Sequence, residues 1–105
     1  MRPAAVNLDR IAAFVSVADA GSFTAAAELM GMTKSAVSQA VGLLERELGA
    51  QLLQRSTRKL AITEAGDAFL LDCRSLLSQA EQAVDRARTG KAMPSGVLRL
   101  STAAD

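Results

Sequence analysis

The chain has 105 residues, half of them hydrophobic, which suits one small globular domain with a core and is too apolar for a disordered tail. It contains no His, one Cys (Cys73) and three Phe. It therefore lacks the usual general base, a catalytic Cys–His pair, a Cys/His zinc site and an aromatic platform for single-stranded bases. We expect neither an enzyme nor a bound cofactor or metal.

The sequence predicts neither a membrane span nor a secretion signal. No apolar run approaches the roughly 20 residues that a membrane-spanning helix needs. The first residues do not show a basic segment followed by an apolar core and a cleavage site. A single cysteine cannot form an internal disulfide, which suits a reducing compartment. These features favour a cytoplasmic location.

The net charge of +1 conceals an uneven distribution. Residues 31–60 carry five basic and two acidic side chains, a net charge of +3. Residues 61–90 carry three basic and five acidic side chains, a net charge of −2. The middle third is thus the part that can meet phosphate directly. Charge alone leaves open the alternative of an unevenly charged, solvated face.

Capping signals predict three successive helices, over residues 8–20, 23–30 and 34–48. Each follows a residue that favours the N-cap and precedes a glycine that favours a helix C-terminus. The N-caps are Asn7, Ser22 and Thr33, and the glycines are Gly21, Gly31 and Gly49. Because only the turn Gly31-Met32 separates the second and third helices, the pair predicts a helix-turn-helix.

The start of the third helix carries polar side chains suited to reading DNA, because the second helix of this motif enters the major groove N-terminus first. The predicted contact residues are Thr33, Lys34, Ser35, Ser38 and Gln39. Hydroxyls reach base edges or phosphate, and glutamine can bind adenine through two hydrogen bonds. For each residue taken alone, a structural role is an equally good interpretation: Thr33 as a helix cap only, and the serines as ordinary exposed residues. The clustering of these residues at one helix end favours contact with DNA. Ser22 opens a helix N-terminus that can bind phosphate.

Residues 50–63 predict two short strands around a basic tip, which is the form of a wing. Few of these residues are β-branched, so the strand signal is weak. Arg55 and Arg58 lie on this wing, where arginine can hold phosphate or enter the minor groove. A surface salt bridge is the alternative for either residue.

Thr63 is the predicted cap of a long fourth helix over residues 64–89. Two adjacent apolar seams with heptad spacing run along it and predict packing on the helix's own domain and on a second copy. The predicted dimerisation residues are Phe69, Leu70, Cys73, Leu76, Leu77, Ala80, Ala83, Val84 and Ala87. A single wide core face is the alternative interpretation.

Residues 90–96 are rich in Gly, Pro and Ser and predict a linker, after which residues 97–100 alternate like the start of a strand. The predicted organisation is therefore a DNA-binding domain at 1–63, a linker and dimerisation helix at 64–89, and a hinge with the start of a truncated second domain at 90–105.

Several of these residues together resemble the N-terminal signature of LysR-type transcriptional regulators, a bacterial family, over about residues 7–90. The matching stretches are Gly21 to Ala27, Ala36-Val37-Ser38, Leu44-Glu45, Leu48-Gly49, Arg55, Arg58 and Thr63 to Gly66. The resemblance implies a mainly α fold: a winged helix-turn-helix of three helices and a two-stranded wing, followed by a long helix that pairs with its twin. It also implies that residues 33–48 form the recognition helix.

Members of that family bind partly palindromic promoter sites as dimers or tetramers. Their C-terminal domain, similar to periplasmic binding proteins, senses a small-molecule effector and would begin at Val97 here. The chain departs from the usual family pattern at three positions. Many members carry a proline where this chain has Ser35, a basic residue where it has Gly42, and an aromatic residue where it has Leu53. We expect sequence-specific binding of double-stranded DNA; the alternative is a winged helix that serves protein association only.

Overall fold

The computed structural model describes residues 7–56 and 59–89. Its elements in chain order are α1 (Leu8–Ala20), α2 (Phe23–Met30), α3 (Lys34–Leu48), β1 (Leu53–Arg55), β2 (Leu60–Ile62) and α4 (Glu64–Arg88). The predicted mainly α fold with a short two-stranded sheet is confirmed. Only the end of the fourth helix differs from the prediction, by one residue, because residue 89 is in a turn.

The helix caps form as the sequence predicts. The side chains of Asn7, Ser22 and Thr33 accept hydrogen bonds at 3.1, 3.0 and 3.0 Å from the backbone amides three residues further on. Gly31 ends α2 with φ at 66° and ψ at 35°, a left-handed conformation that glycine adopts without steric cost. This conformation turns the chain between α2 and α3 within three residues.

The first three helices pack around one apolar core, with α1 against both α2 and α3. Phe14 and Val17 of α1 and Val37 and Val41 of α3 are fully buried there. The contribution of α2 is small in volume, since its buried residues are alanines 26 and 27. Such small side chains let α1 and α3 approach α2 closely, which places the N-terminus of α3 on the surface beside α2.

The wing is an antiparallel pair in which Leu53 faces Ile62, Gln54 faces Ala61 and Arg55 faces Leu60. Leu52 and Leu53 are buried and attach the base of the wing to the helical core. Beyond the strands, the Ser56 hydroxyl donates to the Lys59 carbonyl and accepts from the Lys59 amide, at 2.7 and 2.9 Å. The predicted contact residue Arg58 lies outside the described residues.

The start of α4 is fixed against the chain just before β1. The Thr63 hydroxyl donates to the Gln51 carbonyl at 2.6 Å and accepts from the Gly66 amide at 2.9 Å, so Thr63 caps the helix as predicted. Gly66 lies so close to the Leu52 carbonyl oxygen that a Cβ there would be 2.1 Å from it. Further along, the Arg74 guanidinium pairs with the Asp19 carboxylate of α1.

The described chain divides into two compact units, the first ending at Arg74 and the second beginning at Ser75. The first turns of α4 belong to the core of the first unit. Leu70 and Cys73 are only 7% and 1% exposed there, and the Phe69 ring lies 5.9 Å from that of Phe14.

These three predicted dimerisation residues, Phe69, Leu70 and Cys73, therefore pack within their own unit. Heptad spacing does not distinguish a seam that faces the helix's own core from one that faces a partner. The predicted linker at 90–96 and the predicted strand at 97–100 lie outside the described residues. Among the described residues, no helix is long and apolar enough to cross a membrane.

Candidate nucleic-acid interface

The N-terminus of α3 presents four of its five predicted contact residues to solvent. Thr33, Lys34, Ser35 and Gln39 are exposed, and Ser38 is half-buried. The Thr33 oxygen also accepts the capping bond from the Ala36 amide, so this residue shapes the helix start whether or not it meets a ligand. Exposed hydroxyl, ammonium and amide groups at one helix end can bind base edges and phosphate.

The same face of α3 continues beyond the residues that the sequence singled out. Ser35, Gln39, Gly42 and Arg46 follow at spacings of four, three and four, which places them on one side of the helix. Arg46 is exposed and, among the described residues, pairs with no carboxylate. The sequence prediction stopped at the first turns of the helix and did not include Arg46, although its spacing of seven residues from Gln39 places it on the same face.

The N-terminus of α2 lies beside the base of the wing. Ser22 is half-buried, and its oxygen accepts from the Ala25 amide, so the predicted cap is present. The next residue, Phe23, holds its ring 5.0 Å beneath the guanidinium carbon of Arg55. At this distance an arginine and an aromatic face attract each other.

Arg55 is the predicted wing residue that the structure describes. Its Nη2 lies 3.5 Å from Oε1 of Glu45, and its side chain remains 39% exposed. Both interpretations of this arginine are therefore compatible: it makes a salt bridge, and its guanidinium still has donors directed to solvent. The guanidinium has five N–H donors, of which a single carboxylate oxygen occupies few.

Glu45 is a site residue that we did not predict. Its Oε2 accepts from the backbone amides of Leu52 and Leu53, at 2.8 and 3.1 Å, while Oε1 faces Arg55. Only its place in the family signature drew attention to it in the sequence. No pattern of local spacing could predict bonds from the last turn of α3 to backbone amides seven and eight residues further on.

The remaining chemistry of the described residues is sparse. Burial raises the pKa of the Cys73 thiol, and the negative charge of Asp72 raises it further. The thiol is therefore protonated at neutral pH, and protonated thiols are poor nucleophiles and metal ligands. The described residues contain no cluster of three or more His, Cys, Asp and Glu side chains that could hold a metal ion.

The second unit, described by itself, leaves an apolar strip of α4 open to solvent. Its large exposed side chains are Leu76 and Val84, which are 39% and 47% exposed. The other predicted dimerisation residues in this unit are Leu77, Ala80, Ala83 and Ala87, of which the first two are half-buried and the last two exposed.

Comparison with known proteins identifies the family. A family model described as "Bacterial regulatory helix-turn-helix protein, lysR family" matches residues 8–67, more than half of the chain. The chain belongs to this family, as the resemblance in its sequence indicated. An HTH-type transcriptional repressor of Pseudomonas aeruginosa is 45% identical over 96 residues, which cover 91% of this chain and 30% of that protein. The chain thus spans about 30% of the length of this curated relative.

Solved structures of the same kind share the fold. A crystal structure of the DNA-binding domain of CbnR in complex with DNA has a TM-score of 0.74 at 35% identity, covering 82% of this chain and 99% of that one. The DNA-binding domain of BenM in complex with catB site 1 DNA has a TM-score of 0.78 at 32% identity, covering 84% of this chain and 99% of that one.

Proposed function

We propose that this chain is the DNA-binding part of a bacterial transcription regulator and binds double-stranded DNA with sequence specificity. The observation that carries the proposal is the exposed polar N-terminus of α3, set next to α2 in a helix-turn-helix, in a domain that also carries an exposed arginine on its wing. Two solved domains with the same fold are in complex with DNA, which supports it.

In this proposal α3 enters the major groove with its N-terminus first. Ser35 and Gln39 read base edges, Gln39 through the two-bond contact that its amide makes with adenine. Thr33, Lys34 and Ser38 add contacts to phosphate or bases. Ser22 at the start of α2 lies where free backbone amides attract phosphate. Arg55 and Arg58 hold the DNA backbone or enter the minor groove from the wing.

We further propose that the chain acts as a homodimer through α4. Leu76, Leu77, Ala80, Ala83, Val84 and Ala87 form the dimer contact, while Phe69, Leu70 and Cys73 serve the core of their own unit. A dimer presents two recognition helices to half-sites one DNA turn apart, roughly 34 Å, or a multiple of it, on a partly palindromic promoter site. By resemblance to the family, a tetramer and a small-molecule effector would require a C-terminal effector domain, and the regulator would act in the cytoplasm on promoter DNA.

Selection of bound sites from a random duplex library, at moderate salt and followed by sequencing, tests the proposal. We expect an inverted repeat with regularly spaced half-sites. Failure to enrich any motif, with binding lost at modest salt, would leave only non-specific attraction to phosphate. The winged helix would then be a protein-association module.

Replacing the proposed base reader tests the role of α3 directly. Gln39→Ala removes the amide that contacts a base, so we expect the ranking of operator variants to change at one position of each half-site. One such bidentate contact discriminates between bases by about 1–3 kcal/mol. Competition binding of single-base variants measures this, with Gln79→Ala on exposed α4 surface as the matched control. An unchanged ranking would show that Gln39 does not read bases.

A further inference from the structure

Side chains from three separate elements meet at the base of the wing. Phe23 opens α2, Glu45 belongs to the last turn of α3, and Arg55 ends β1. The Arg55 guanidinium lies 5.0 Å above the Phe23 ring and 3.5 Å from the Glu45 carboxylate. A wing arginine could extend freely into solvent, but this one is held on two sides.

The carboxylate of Glu45 is itself fixed in place. Its Oε2 accepts from the amides of Leu52 and Leu53 at 2.8 and 3.1 Å, which attaches it to the backbone that leads into β1. The side chain is only 15% exposed, so these charge-assisted bonds are partly shielded from water. The other oxygen is thereby directed at Arg55 and at nothing else among the described residues.

We propose that Glu45 and Phe23 are positioning residues for Arg55, holding its guanidinium ready for a backbone phosphate before DNA arrives. This inference rests on the proposed function. A free arginine side chain loses rotamer entropy when a partner immobilises it, whereas one already held loses less. The 39% of the Arg55 side chain that stays exposed is the part left for the phosphate.

The direction in which one substitution at Glu45 changes DNA affinity separates this positioning role from a simple electrostatic effect. A carboxylate close to DNA repels phosphate, so an acidic side chain acting only through its charge weakens binding, and Glu45→Gln would then tighten it. If Glu45 positions Arg55, the same substitution weakens binding. In this variant the amide oxygen still accepts from the Leu52 and Leu53 amides, while the amide nitrogen turns a donor towards the guanidinium. The wing stays attached but Arg55 is released.

The experiment is a double-mutant cycle on the 105-residue chain with a selected duplex. We expect Glu45→Gln and Phe23→Leu each to weaken binding about fivefold, the cost of immobilising one long side chain. In an Arg55→Ala background, neither of these two substitutions should change DNA affinity further. In a Lys59→Ala background, each of them should keep its full effect on DNA affinity. Arg55→Ala should lower the salt slope by about one, whereas Glu45→Gln should leave it unchanged. An equal effect of Glu45→Gln with and without Arg55, or tighter binding, would overturn the proposal.

A second measurement needs no DNA. Relaxation of the Arg55 Nε signal in the free protein should show an ordered side chain that becomes mobile in Glu45→Gln and in Phe23→Leu, with thermal unfolding confirming that both variants fold. A mobile Arg55 in the unsubstituted chain would overturn the positioning role. If no duplex binds while Arg55 is ordered, the proposed function fails and the positioning of this side chain stands.

Discussion

Gly42 lies in the middle of α3, although nothing in the described part of the chain requires a glycine there. A Cβ built at this position meets no heavy atom within 4 Å, so the helix gains no close contact from the missing side chain. Glycine in a helix interior costs about 1 kcal/mol relative to alanine.

We therefore expect Gly42→Ala to raise the free energy of unfolding by about 0.5–1 kcal/mol, because the new methyl group enters open space while the unfolded chain loses conformational freedom. Urea denaturation of the two proteins measures the change through the midpoint at constant slope. A loss of stability would mean that the methyl group meets an atom, contrary to the observed geometry.

Gly66, in the first turn of α4, shows the opposite situation, because an added side chain would have no room there. Its Cα faces the Leu52 carbonyl oxygen so closely that an added Cβ would lie 2.1 Å from backbone oxygen and 2.9 Å from a side-chain carbon of Ile62. Backbone cannot move aside as the end of a flexible side chain can. The close approach lets Thr63 bridge from the Gln51 carbonyl to the first turn of α4.

Gly66→Ala should accordingly lower the free energy of unfolding by about 1–3 kcal/mol or more, the usual cost of forcing atoms into a packed site. Denaturant unfolding beside Gly42→Ala makes each variant the control of the other, since both add one methyl group to a helix. Stability equal to that of the unsubstituted chain would show that α4 can shift away from Leu52 without loss.

The elements themselves were predictable because their signals are local. A cap residue before each helix and a glycine after it fixed α1, α2 and α3 to the residue, and Thr63 marked the start of α4. The contacts of the wing were not predictable. Glu45 accepts hydrogen bonds from amides seven and eight residues away, and the Arg55 guanidinium packs on the ring of Phe23 in α2. Such bonds depend on how the elements pack, which spacing along the chain does not encode.

At the scale of the whole molecule, the surroundings of α4 change along its length. Its first turns complete the core of the unit that carries the interface, where Leu70 and Cys73 are buried. Beyond Arg74, Leu76 and Val84 remain exposed, so the described part of their own unit does not bury them. The sequence predicted two adjacent seams, for packing on the helix's own domain and on a second copy. It could not show where the packing on the own domain ends, because the heptad repeat continues across the change from buried to exposed residues.

A charge on the open part of that strip tests the proposed dimer. Val84→Glu places a carboxylate where an apolar partner surface is expected, so burying it on association would carry a desolvation cost of several kcal/mol. We expect sedimentation to show a dimer for the unsubstituted chain and a monomer for the variant, with helix content and thermal unfolding of the first unit unchanged. Gln82→Glu adds the same charge on the other side of α4 and should leave the dimer intact. A Val84→Glu protein that remains dimeric would place the contact on a different surface, whereas dissociation by both variants would indicate general charge repulsion rather than a seam.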